Sequence, residues 1–403
     1  MNIRIFPSVA RGSVSAPPSK SMAHRLLICA ALAQDESRIC GISECEDVLA
    51  TLDCLHALGA DCKIDNDIVI VKGINLGKIS NPVLPCRESG STMRFLLPLC
   101  LLSDKESGLI GAPSLLRRPM TVYQNLCREH GFFFEQTESG ITVKGRLTSG
   151  EYTLPGDVSS QFISGMLFAL TQVAGESILH ILPPFESRSY VLLTIQALTA
   201  FGADIEWLNG TALRICGGKP MQAQNLTVEG DYSNAAFLSA FNFLGGEVNV
   251  IGLNPASLQG DRIYIKHFES LKKGFATISL ADCPDLAPIL FALAARGQGA
   301  RFTDTRRLVI KESNRAETMA TELRKFGTTV DVHENEVVIT PTAFHAPTET
   351  LLGNNDHRIV MSLAVLATLT GGVIEGAEAV NKSFPDFFER ISSLGIQIEE
   401  ITP

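Results

Sequence analysis

Six times along this 403-residue chain, a helix-like stretch ends at a glycine and passes into an alternating, strand-like run. The segments are HALGADCKI around Gly59, REHGFFFEQ around Gly131, TAFGADIEW around Gly202, LKKGFATIS around Gly274, RKFGTTVDV around Gly327 and SSLGIQIEE around Gly395. Their glycines stand 72, 71, 72, 53 and 68 residues apart. A glycine just past a helix end takes the left-handed conformation that stops the helix, and the alternation that follows reads as a strand. In IDNDIVIVKG and HENEVVITP an Asn/Asp turn leads into a second strand. Self-similarity at this period marks a repeat architecture, in which each unit buries its apolar face only against its neighbours.

A second series interleaves with the first. PSKSMAHRLLICAALA, ESGSTMRFLLPLCLL, GDVSSQFISGMLFAL, GDYSNAAFLSAFNFL, CPDLAPILFALAA and NNDHRIVMSLAVLATL begin near residues 18, 88, 156, 230, 283 and 354. Each is a polar turn opening onto a helix apolar nearly all round, which belongs in a core. Ser, Thr, Asp and Asn at the openings are helix caps. The pattern predicts an α/β protein of six units, three to a domain, with buried helices and short sheets. Taken alone, such an array implies no chemistry.

The chemistry lies in what the openings carry. A helix start offers unpaired N–H groups and roughly half a positive charge, and so attracts phosphate or carboxylate. Lys20, Ser21 and Arg25 sit at the first opening, Ser89-Gly90-Ser91-Thr92 with Arg94 at the second, Ser159, Ser160 and Gln161 at the third, and Asp356, His357 and Arg358 at the sixth. Loops add Arg117-Arg118-Pro119-Met120, Lys311-Glu312-Ser313-Asn314-Arg315 and Asn381-Lys382-Ser383-Phe384-Pro385-Asp386. Singly, each has a plain explanation: a serine cap, a solvated arginine pair, an exposed helix face. Together Lys20, Arg25, Arg118, Lys311, Arg315, Arg358 and Lys382 suit a substrate pair with two phosphates and two carboxylates.

Other classes find little support. A net charge of −9 argues against general nucleic-acid or anionic-membrane binding. No P-loop, dinucleotide-binding glycine motif or His-Glu-x-x-His occurs. Ten cysteines without a Cys-x-x-Cys pair read as reduced, mostly buried thiols rather than a zinc site, although Cys40, Cys45, Cys54 and Cys62 lie close in sequence. No secretory signal or membrane span is visible, and a cytoplasmic monomer is the expectation.

Nine segments in order resemble one family, the EPSP synthases (3-phosphoshikimate 1-carboxyvinyltransferases): PPSKSMAHR at 17–25, ESGSTMRFL at 88–96, RPM at 118–120, GDVSSQF at 156–162, ESRSY at 186–190, PDLAP at 284–288, KESNR at 311–315, NDHR at 355–358 and NKSFPDFF at 381–388. The resemblance implies an inside-out α/β barrel fold. It has two similar domains of three βαβαββ-like units each, with residues 14–225 as one domain and residues 1–13 plus 226–403 as the other. The active site would lie in the interdomain cleft and close on substrate. It also implies enolpyruvyl transfer from phosphoenolpyruvate to the 5-hydroxyl of shikimate 3-phosphate, a step of chorismate and aromatic amino acid biosynthesis, with no cofactor and no metal.

By the same resemblance, Lys20 contacts both substrates and takes part in catalysis. Ser21 and Arg25 hold the shikimate carboxylate side, and Ser159, Ser160, Ser187 and Lys311 hold its phosphate, beside Tyr190. Gln161 sits between the substrates. Gly90, Arg118, Arg315, Arg358 and Lys382 hold phosphoenolpyruvate. Asp285 is the general base and Glu312 the acid. The plainer alternatives are a cap for Asp285 and a first-turn acid for Glu312. His24 and His357 read as packing or helix-start residues, Arg94 stays open between ion pair and site residue, and Arg307 is not assigned to substrate. GDYSN at 230–234 is taken as the structural copy of GDVSS. Glu88 departs from the family's usual Asn and leaves response to glyphosate open. Competing readings are a UDP-N-acetylglucosamine enolpyruvyl transferase, disfavoured because GAPSLLRRPM has no Cys, a non-catalytic phospho-ligand binding protein, and an RNA-terminal phosphate enzyme.

Overall fold

The computed structural model describes residues 1–75 and 81–401. Its contacts divide the chain into two units, one of Pro18–Glu229 and one of Met1–Pro17 with Gly230–Pro403.

All six apolar stretches are helices, at Lys20–Leu32, Gly90–Cys100 and Ser160–Leu170 in the first unit and at Tyr232–Ala240, Ala287–Arg296 and His357–Thr370 in the second. Leu27 and Ile28, Leu96 and Leu97, Phe168, Phe237, Leu290 and Val360 are wholly buried. Each such side chain contributes about 1.5–3 kcal/mol through its burial. Within each unit these helices pack against one another, and the sheets lie outside them. All ten cysteines are free thiols, seven of them buried. Burial pushes the Cys45 thiol up to about 11 and the Cys100 thiol up to about 12, so both are inert as nucleophiles. Among the described residues, no helix is long and apolar enough to cross a membrane.

The repeat has a fixed sheet topology. Strand Glu151–Pro155 runs parallel to Gly175–Leu182, which pairs antiparallel with Ala212–Gly217, which in turn pairs antiparallel with Asp204–Asn209. Helices carry the parallel crossover, as such pairs require. The same order recurs at Val83–Pro85, Ser107–Ile110, Ile141–Lys144 and Phe133–Gln136, and at Ala276–Ser279, Ala300–Thr303, Glu336–Thr340 and Thr329–His333.

Two of the four-stranded sheets borrow a strand from far along the chain, as does the two-stranded one. Asn225–Thr227 pairs with Glu36–Cys40, and Asn2–Ile5 lies between Gly372–Glu375 and Ile398–Ile401. One repeat is cut short. Arg11–Ser15 and Glu247–Ile251 form a parallel pair alone, without the hairpin the other repeats have. After Gly274 the chain goes straight into Ala276–Ser279, the first strand of the next sheet. The 53-residue interval after Gly274 is the mark of this loss. Gly274 also departs from the expected left-handed stop: its φ is 154° and ψ −164°, whereas the other five glycines have φ between 71° and 100°.

Candidate active site

The N-termini of the buried helices carry the candidate residues, so each unit is described through its own helix starts. In the unit Pro18–Glu229, Ser19, Ser89 and Ser159 cap their helices through Oγ, each accepting a backbone N–H. A cap of this kind contributes about 1 kcal/mol. Lys20 opens the first helix, and its Nζ donates to Asp47 Oδ2 at 2.6 Å. Arg25, one turn on, is 2% exposed. Its guanidinium donates to Thr194 Oγ1 at 2.8 Å, to the Ser21 carbonyl at 2.6 Å and to the Tyr190 carbonyl at 3.0 Å, and it lies over the Phe95 ring. Among the described residues no carboxylate pairs with it. Burial pulls its pKa down to about 10, against the opposing pull of Tyr190 and Cys29. A buried cation neutralised only by dipoles is a place for an anion.

A second group forms around Gly90. A Cβ at this position would come within 2.9 Å of Arg118 Nη1 and 3.6 Å of Arg94 Nη1. Glycine therefore lets two guanidinium groups close on the helix start. Arg118 also has no carboxylate partner among the described residues, and its Nε is buried without a hydrogen bond. Arg94, left open by the sequence, donates to Gln161 Oε1 at 2.8 Å and stacks over Phe162. Gln161 in turn donates through Nε2 to Ser91 Oγ at 2.9 Å. Arg94 thus sets the orientation of Gln161 and ties two helix starts together. Ser160 is buried at the third start, and Ser21 is partly buried at the first. Ser187 precedes the helix Arg188–Ala200 in the left-handed region, at φ 52° and ψ 37°. A buried non-glycine residue held there stores strain of about 1–3 kcal/mol, which marks functional sites more often than scaffolding.

The other unit concentrates charge. Its fifth helix start has no capping side chain: Asp285 sits in the short 3-10 turn Pro284–Leu286, ahead of Ala287–Arg296. The cap alternative for Asp285 is therefore set aside. Its carboxylate is instead 3.0 Å from Lys311 Nζ, 2.8 Å from Arg315 Nη1 and 3.3 Å from Arg358 Nη2. Burial pushes this carboxyl up, but Arg358, Lys311 and Arg315 outweigh it and hold it well below the usual carboxylate range. Burial lowers Lys311, with Asp285 acting against that. Arg315 is 1% exposed and bridges three acids: Asp285, Glu312 at 2.6 Å and Asp356 at 2.9 Å. Burial opposes its charge, yet Asp356, Glu312 and Asp285 together raise its pKa.

Two further acids carry this geometry: Asp356, which the sequence placed at a helix opening without a partner, and Asp47, which it did not single out. Asp356 caps His357–Thr370 and also anchors Arg315. Asp47 holds Lys20 from a helix 27 residues away, with nothing in the sequence to link them. In GDYSN, Ser233 Oγ accepts from Arg358 Nη1 at 2.7 Å. Arg307 braces the backbone ahead of Asp285 by donating to the Ala281 carbonyl. Lys382 donates to the Asn355 carbonyl at 2.7 Å, beside Asp356. His24 and His357 are both buried. Among the described residues, no cluster of three or more His, Cys, Asp or Glu is arranged to hold a metal. The resources of this second unit are cations, a hydroxyl and three carboxylates sharing one guanidinium, a set suited to acid–base chemistry on anions.

A family model described as EPSP synthase (3-phosphoshikimate 1-carboxyvinyltransferase) matches residues 7–391. A 3-phosphoshikimate 1-carboxyvinyltransferase of Clostridium perfringens is 36% identical over 97% of each chain. One of Clostridium kluyveri is 36% identical over 99% of this chain and 98% of its own. An EPSP synthase structure from Acinetobacter baumannii superposes with a TM-score of 0.78 at 25% identity, covering 100% of both chains. The enolpyruvyl transferase NikO of Streptomyces tendae, at 15% identity and a TM-score of 0.81, shares the fold.

Proposed function

This chain belongs to the EPSP synthase family, the 3-phosphoshikimate 1-carboxyvinyltransferases, and we propose that its two polar clusters act on one pair of anionic substrates. The chain is an enzyme of aromatic biosynthesis. It moves the enolpyruvyl group of phosphoenolpyruvate onto the 5-hydroxyl of shikimate 3-phosphate and releases phosphate.

In the proposed arrangement Ser21 and Arg25 take the carboxylate side of shikimate 3-phosphate. Its phosphate goes to Ser159, Ser160, Ser187 and Lys311, beside Tyr190. Phosphoenolpyruvate lies against Gly90 and is held by Arg118, Arg315, Arg358 and Lys382, with Gln161 and Lys20 between the two substrates. Glu312 protonates C3 of phosphoenolpyruvate. Asp285 takes the proton of the 5-hydroxyl, whose oxygen attacks C2. The tetrahedral adduct then loses its phosphate by C–O cleavage as a proton leaves C3, restoring the double bond.

Asp285 in its ligand-free surroundings is a poor base, since three cations stabilise its ionised form. The substrates change that. A phosphate on Lys311 and a second anion on Arg315 and Arg358 draw those charges away, and the proton affinity of Asp285 rises. The base is thereby armed when both anions are in place. The observation that carries this reading is Asp285 itself: an acid at a helix start that caps nothing and faces three cations.

The first test is phosphate release by the purified chain, with each substrate omitted in turn. Release that requires both supports the reading. Uptake of shikimate 3-phosphate without turnover would instead favour a binding protein. Domain closure over the pair is part of the proposal, and small-angle scattering with and without both ligands tests it: an unchanged radius of gyration would remove closure.

A further inference from the structure

A polar seam crosses the otherwise apolar core of the unit Pro18–Glu229. Asp47, Thr51 and Cys54 are spaced i, i+4 and i+7 on the helix Glu46–Ala57, which puts them on one face. Asp47 holds Lys20, while Thr51 meets His24 Nδ1 at 2.7 Å, one turn along the Lys20 helix. Thr51 Oγ1 also lies 2.7 Å from Thr92 Oγ1, and Thr92 donates to the Oγ of Ser89, the cap of the Gly90 helix, at 2.7 Å. Each hydroxyl has one proton. With Thr92 donating to Ser89, Thr51 donates to Thr92 and His24 supplies Nδ1–H to Thr51. The chain of bonds runs one way, from the first helix to the turn at Gly90.

This seam is costly. His24, Thr51, Thr92 and Ser89 are each at most 1% exposed, and His24 Nε2 has no partner. Burial, reinforced by Lys20 and Arg25, holds the imidazole neutral. A leucine in that place, against Phe95, would bury no unpaired nitrogen. A run of buried hydrogen bonds through an apolar core fixes the arrangement of the elements it joins, here at the cost of one unpaired nitrogen. Here those elements are the helix starts bearing Lys20 and Gly90.

We propose that His24 is a positioning residue for enolpyruvyl transfer, acting through Thr51 and Thr92 to set the Ser89–Gly90 turn against the Lys20 helix start. The inference rests on the assignment of those two turns to the substrates. That assignment is tested separately by wild-type phosphate release and by Gly90→Ala, so a failure specific to His24 is distinguishable.

The experiment compares His24→Leu, His24→Asn, Thr51→Val and the double variant His24→Leu/Thr51→Val. His24→Leu should keep or raise the Tm, yet increase KM for phosphoenolpyruvate roughly three- to tenfold, with a smaller change for shikimate 3-phosphate. His24→Asn, whose amide falls where Nδ1 lies, should restore KM to within about twofold. Thr51→Val should reproduce the defect, and the double variant should be no worse than the worse single one. Wild-type KM in His24→Leu, an Asn variant as impaired as the Leu variant, or defects that multiply in the double variant would each overturn the proposal. Should His24→Leu not fold, Thr51→Val decides, and wild-type constants there overturn the proposal equally.

Discussion

Arg25 and Arg118 in one unit and Arg315 in the other are held in opposite ways. Around Arg25, positive charge is met by two carbonyls, a hydroxyl and an aromatic face, and among the described residues neither Arg25 nor Arg118 has a carboxylate partner. Around Arg315, the charge is saturated by Asp285, Glu312 and Asp356. The first cluster is preset for an anion. In the proposed mechanism the second has to exchange its own acids for one, and that exchange frees Asp285 for proton transfer.

The largest expected effect tests the second cluster. Asp285→Ala should lower kcat by about 10²–10⁴-fold while leaving substrate dissociation constants within a few-fold of wild type. Stopped-flow binding beside steady-state rates checks this, and an unchanged kcat would end the base assignment. Next, Arg25→Ala should weaken shikimate 3-phosphate by about a hundredfold, because a buried charge pair is lost with no carboxylate to relieve. Inorganic phosphate sharpens the contrast. It should raise the Tm of the wild type, and Arg118→Ala should remove most of that shift, whereas Arg358→Ala, beside the acids of the second cluster, should remove little. Equal losses would mean that the two clusters do not differ as described. A smaller effect is expected of Gly90→Ala: the new Cβ meets Arg118 Nη1, a mobile end that gives way, so KM for phosphoenolpyruvate should rise several-fold with the fold intact.

The smallest effect is on stability against pH. The folded-state pKa of Asp285 is depressed, so its ion pairs stabilise the protein above the ordinary aspartate range. That contribution fades as pH falls through the depressed value. Asp285→Asn should therefore have a lower Tm than wild type near neutrality, and the gap should narrow in acid. A constant gap would show that the cations are not held by this carboxylate.

Local rules expose much of this molecule in its sequence. The six buried helices follow from unbroken apolar stretches behind Ser and Asp caps, and the glycine stops follow from helix ends. What local rules miss is long-range. Nothing near Lys20 announces Asp47, because the pair forms only when two helices dock. The left-handed Ser187 is set by its surroundings, since serine has no preference for that region. The borrowed strands Asn2–Ile5 and Asn225–Thr227 look like any other strand until their partners are known. The missing hairpin did leave a local trace, the short interval after Gly274. Its meaning emerges once Ala276–Ser279 is seen to serve the next sheet.

The strand Asn2–Ile5 has a consequence for how the chain acquires its structure. Its partners, Gly372–Glu375 and Ile398–Ile401, lie far downstream and leave the ribosome well after the continuous stretch Pro18–Glu229. All of one unit is made before Gly372, while Asn2–Ile5 has to wait for its partners. Loop closure over that separation is slow, and an unpaired β segment is exposed to wrong partners meanwhile. The cluster that carries the proposed base is thus the later of the two to form, and deletion of residues 2–5 should harm its folding yield while sparing that of the other.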